Sequence, residues 1–342
     1  MLPIATPVVA PAPAAVESIA VASPPAHALA FAHVIHADGA HVVLSTTVDP
    51  QWAVDPPHTR RRRGNDVDDV PAFRNVALER LPEAARAAIA RPMTVWSATG
   101  HVCTATVGRP VLVGEFWGDH ESMDDGEKPR TALAEAVERW GDSRVVLAAP
   151  LLASDDCSLG LWARDAELPA PRIYLAQSGE DLPSPVARRL LQRDPEVRKA
   201  AREFDAFVRE NLTPSEGEAA DTELFTTRRL IDRFVGRRWV EPTSGHELDV
   251  FVTEGDEFGG CGGVGPSWGG VSVDPEGTPF AAAYDDVGEA VLAVFDLEGD
   301  GRAEVLTEQW LGPTQLVGVS ADGETFARRS ELPAVPYWGC PC

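Results

Sequence analysis

Near the C-terminus, Asp296-Leu297-Glu298-Gly299-Asp300-Gly301-Arg302-Ala303-Glu304 sets carboxylates two residues apart around two glycines, between two apolar runs. Side chains two apart in an extended loop point to one side, so Asp296, Glu298 and Asp300 can meet. Gly299 and Gly301 permit the positive φ that such a tight wrap requires. Carboxylates held this close repel and raise one another's pKa unless positive charge sits among them. A hard divalent cation supplies that charge, and Ca2+ suits an all-oxygen donor set best.

Val287–Phe295 and Ala303–Trp310 read as strands, which makes the acidic run the loop of a hairpin. It resembles the calcium loops of FG-GAP/VCBS-type repeats of secreted proteins and integrin-like β-propellers, roughly D-x-[DN]-x-D-G-x-x-[DE]. The resemblance implies side-chain oxygens from Asp296, Glu298, Asp300 and Glu304, the backbone carbonyl of Arg302, and a structural Ca2+. Glu298 is longer than the usual Asp or Asn, and the motif occurs once in the 342 residues, so no propeller is implied. An EF-hand is excluded, because Thr307 stands where its bidentate glutamate belongs and strands flank the loop.

Other chemistry-bearing clusters are weaker. Asp119-His120-Glu121 and on to Glu127 follows a strand end, and with His101 or His120 it forms the alternative reading of a hydrolase. Gly260-x-Gly262-x-x-Gly265 lacks the following helix that a dinucleotide fingerprint needs. Gly265-Pro-Ser267-Trp-Gly269 lacks both the helix and a later histidine, since all eight histidines lie at or before His246. His33, His36 and His41 share the first hairpin without metal-ligand spacing, and read as strand histidines.

The formal charge of −23 argues against a nucleic-acid or anionic-membrane partner and favours cations, a basic ligand or simple solubility, while the nine scattered tryptophans leave a carbohydrate ligand open. From Glu241 onward there are 19 acidic residues and 3 arginines, a net of −16. Arg60–Arg63 is too short a basic run to reverse that conclusion. The five cysteines include no C-x-x-C. Cys103 is free to pair with Cys157, and Cys261 with Cys340 or Cys342, which points to an oxidising compartment, extracellular or periplasmic. No apolar run approaches the ~18 residues of a transmembrane helix.

The elements around these motifs predict an α+β fold. Residues 1–26 form a Pro/Ala-rich tether, and 27–180 a mixed region opened by a hairpin turning at Asp38-Gly39. Helices are expected over 81–91, 131–140, 184–211 and 221–235, so 181–236 reads as a helical segment. Residues 237–342 read as β-rich and acidic. The expected function is that of an exported or surface-associated, non-catalytic protein with a structural calcium site, ligand-binding or adhesion-like.

Overall fold

A computed structural model describes residues 28–59, 71–115, 117–118, 140, 144–177, 234–253, 269–273, 279–281, 290–308, 312–319, 326–335 and 337–338, with scattered helical positions between 189 and 206. The first half carries β1 (Ala32–His36), β2 (Ala40–Ser45), β3 (His58–Thr59), β4 (Ala72–Asn75), β5 (Pro92–Ser97), β6 (Gly100–Val107), β7 (Val111–Glu115), β8 (Trp117–Gly118), β9 (Arg144–Leu152) and β10 (Trp162–Asp165). One short helix, α1 (Glu83–Ala88), sits between β4 and β5. The second half carries β11 (Arg172–Ala176), β12 (Phe234–Val240), β13 (Glu247–Thr253), β14 (Gly269–Val273), β15 (Pro279–Ala281), β16 (Ala290–Asp296), β17 (Glu304–Glu308), β18 (Thr314–Val319), β19 (Phe326–Leu332) and β20 (Tyr337–Trp338).

The order β2-β1-β10-β5-β6-β9 closes on itself, because β2 also pairs with β9. The result is a six-stranded antiparallel barrel, with β7, β4 and β3 continuing the sheet beyond β9. Strand alternation explains its filling. Along β6, Cys103, Ala105 and Val107 are buried while Thr104 and Thr106 face out. So narrow a barrel takes small side chains, and Ala32, Ala105, Ala149 and Ala163 join Val34, Val42, Met93 and Val95 inside it. The β1–β2 loop is three residues, Ala37-Asp38-Gly39, closed by the pair His36↔Ala40, and Asp38 and Gly39 take positive φ of 35° and 103°.

The second sheet runs β15-β14-β13-β12-β11-β16-β17-β18-β19, antiparallel throughout. It docks on the barrel through an aromatic stack. Trp162 of β10 lies 4.3 Å from Phe295 of β16 and 5.8 Å from Trp96 of β5, with Phe31 completing the cluster.

The expected α+β class with a helical middle is thereby corrected: the fold is mostly β, with strands far outnumbering helical positions among the described residues. Leu175 of β11 pairs directly with Val240 of β12, so the two strands are neighbours in one sheet although 64 residues lie between these partners in the sequence. Phe234 and Val235, the last two positions of the helix expected over 221–235, belong to β12, and 221–233 lie outside the described residues. The apolar spacing behind that expectation was local, whereas the strand is chosen by its seven-residue register with β13. The described positions between 189 and 206 are helical, but the helix expected over 131–139 and the tether at 1–26 lie outside the described residues.

His33 on β1 sits where barrel and second sheet meet. Its Nε2 is 3.1 Å from the Ser330 hydroxyl of β19, while its Nδ1 is buried without a hydrogen-bond partner among the described residues. Burial, aided by the charge of Arg144, pushes its pKa down from 6.5 to about 4. The unfolded chain therefore takes up a proton near pH 6.5 that the folded chain refuses until about 4, so stability falls across that window as pH drops. The expected loss is about 3 kcal/mol. Urea melts at pH 7 and pH 4 should show it in the wild type, and H33Q should remove that share of the difference.

Candidate functional site

The acidic loop joins β16 to β17, as its flanking runs predict, and the register Phe295↔Glu304 closes the hairpin. Asp296 ends β16, buried, with Arg172 of β11 as its pairing partner on the neighbouring strand. The loop then wraps around its carboxylate. Oδ1 accepts from the backbone N–H of Gly299 at 2.6 Å and of Asp300 at 3.2 Å, and Oδ2 from Gly301 at 2.9 Å. Three amides converge there because Gly299 and Gly301 adopt φ of 73° and 85°. Asp300 plays a smaller version of the same part, accepting from the N–H of Arg302 at 2.9 Å.

Glu304 opens β17 and is 1% exposed. Its Oε2 accepts from the N–H of Leu297 at 2.9 Å, and its Oε1 receives the Arg329 guanidinium from β19. Burial pushes the Glu304 carboxyl up to about 7. The Leu297 N–H and Arg329 oppose that rise, while Glu298 and Asp296 add to it. Glu298 is exposed, with its Oε2 3.4 Å from the same guanidinium. Arg164, buried on β10, donates at 2.8 Å to the Leu297 carbonyl, tying the loop to the barrel. The local field also reaches Tyr174 of β11, pushed up to about 12 by burial with Asp296 and Glu241 adding.

The residues singled out as calcium ligands are thus brought to one end of the second sheet, where each of the four carboxylates has a partner in the protein. Asp296 is occupied by amides and Glu304 by an amide and an arginine, with Glu298 turned to that arginine. Among the described residues no three His, Cys, Asp or Glu groups gather into a metal-holding cluster. Arg329 and Arg164 were not anticipated. The available signal for Arg329 was the pair Arg328-Arg329 in a region otherwise nearly devoid of basic residues.

Of the residues behind the hydrolase reading, 119–127 with His120 lie outside the described residues. His101 is exposed on β6, its ring edge-on to Trp96 and its Nε2 3.3 Å from the Thr104 hydroxyl. The Gly-rich stretch from 259 to 268, the run Arg60–Arg63, and Cys261, Cys340 and Cys342 also lie outside the described residues. The first-hairpin histidines separate as their odd spacing dictates, with His33 buried and His36 exposed.

Cys103 and Cys157 form a disulfide, joining the inner face of β6 to the loop between β9 and β10. Beside it a cleft of about 340 Å3 is lined by His36, Leu151, Asp155, Asp156, Cys157 and Ser158 among others. Asp156 is held in place by the N–H and the hydroxyl of Ser158, both at 2.9 Å. Those hydrogen bonds keep its carboxyl below the usual range. His36 donates from its Nε2–H to the Gly160 carbonyl at 2.7 Å at the cleft wall.

The fold and these sites define a class by description: a disulfide-closed, six-stranded β-barrel carrying a second antiparallel sheet. No protein-family model matches the chain, and no curated protein or solved structure matches it. Among the described residues no helix is long and apolar enough to cross a membrane.

Proposed function

We propose that this chain is an exported or surface-associated protein that binds a basic ligand and does not transform it. The observation that carries the reading is the Cys103–Cys157 disulfide, since such bonds persist in oxidising compartments and are rare in reducing ones. The ligand's charge follows from the chain's formal charge of −23 and from the cleft beside that disulfide, whose lining includes Asp155 and Asp156 together with Leu151. The 296–304 loop has a structural part in it, closing the β16–β17 hairpin against the barrel.

Two measurements test the proposal. Protein isolated from its host and alkylated before reduction should yield Cys103 and Cys157 as one linked, unmodified pair; alkylation of both would remove the exported reading. Calorimetric titration with spermidine should show saturable binding that D155N/D156N weakens by at least tenfold, whereas no heat at millimolar spermidine would remove the ligand class.

A further inference from the structure

Four acidic side chains crowd the 296–304 loop, and two of them, Glu298 and Glu304, turn to one guanidinium. We propose that Arg329 is the built-in cation of this loop, so that the hairpin locks without a divalent metal. The proposal stands apart from the export and ligand reading and survives its failure.

The delivery of Arg329 is built into two strands. The β18–β19 register runs Leu316↔Ser330 and then Val317↔Arg328, leaving Arg329 as the extra residue of a bulge. Bulges re-aim a side chain out of the ordinary alternation, and this one sends Arg329 back across β18 toward β17. Its path needs Gly318. A Cβ there would lie 2.6 Å from the Arg329 Nε and 3.0 Å from its Cδ, too close for any other residue while the arginine stays in place. At the far end the guanidinium meets Glu304, a carboxylate with almost no contact with water to screen it. Asp296 is served separately by three amides.

The position of Arg329 disfavours a second cation beside Glu298 and Glu304. Glu304 and Glu298 are two of the acceptors a divalent ion at this loop would have to share, and the ion would stand within a few ångströms of a fixed positive charge that repels it. Arg329 is one of only 3 arginines after Glu241, and Arg328 beside it is engaged with Glu331.

Thermal unfolding of the full chain in millimolar CaCl2 and in EGTA tests the idea directly, and the two midpoints should coincide. A calcium-dependent rise in the wild type overturns it. R329M should melt several degrees lower, because it strands a buried carboxylate, and E304Q/R329M should regain most of that loss while keeping the acceptor for the Leu297 N–H. R329M melting with the wild type, or a double variant no better than R329M, also overturns the proposal. Should R329M be recovered only unfolded, the double variant decides: folded protein supports the built-in cation, unfolded protein defeats it.

Discussion

Trp162→Ala is expected to lower the unfolding free energy by about 3–5 kcal/mol, the range for removing a large aromatic from a closed core. Trp162 is fully buried and stacks between Trp96 of the barrel and Phe295 of the second sheet, so its loss opens a cavity where the two halves meet. Its indole Nε1 has no hydrogen-bond partner among the described residues, which means the polar atom adds nothing that a hydrocarbon ring would not. Trp162→Phe should therefore cost well under half as much as Trp162→Ala. Phe295→Ala should fall in the same range as Trp162→Ala, and the double variant should lose less than the sum, because each ring's contacts are partly the other's. Urea unfolding followed by far-ultraviolet circular dichroism measures all four. Additive losses would mean that the two sheets do not share this stack.

The second large effect is expected at the disulfide. Cys103 and Cys157 are 54 residues apart, and cross-linking a loop of that length removes about 4 kcal/mol of chain entropy from the unfolded state. C103A/C157A should unfold at correspondingly lower urea, and the wild type in reductant should approach the double variant. Both sulfurs are buried, so two alanines also leave a small cavity beside Val95 and Ala105, adding to the loss. The wild type should resist reduction while folded and yield once urea opens the barrel. Equal stability of oxidised and reduced protein would show that the barrel closes without its cross-link.

Much of the strand content was legible because each strand carries its own alternation. Apolar and β-branched runs at His101–Val107, Val145–Leu152 and Arg172–Ala176 read as strands from the residues alone, and β6, β9 and β11 match them to within one residue. The hairpin at Asp38-Gly39 was legible for the same reason, since two adjacent positive-φ positions leave few alternatives. The middle of the chain was misleading. Leu224, Phe225, Leu230, Ile231 and Phe234 have helical spacing, yet Phe234 belongs to β12 because Thr253, nineteen positions away, supplies its partner. No local pattern records that distance.

The functional loop divides in the same way. Acidic spacing and glycines were enough to place a hairpin turn over 296–304 and to show that its anions need positive charge. What supplies the charge was not legible. Arg329 reaches Glu304 only through the bulge in β19 and the bare backbone at Gly318, two features that take meaning once β17, β18 and β19 lie side by side.

By itself, the amino-acid order determined where most strands run, which turns are tight, which cysteines can pair and where negative charge accumulates. These are matters of side-chain alternation, backbone freedom and charge within a few residues. Closure of the barrel, the seating of the second sheet on Trp162 and the pairing of Arg329 with Glu304 were decided by tertiary structure alone. Each depends on groups brought together across tens or hundreds of residues, where only the burial of a shared surface selects one partner over another.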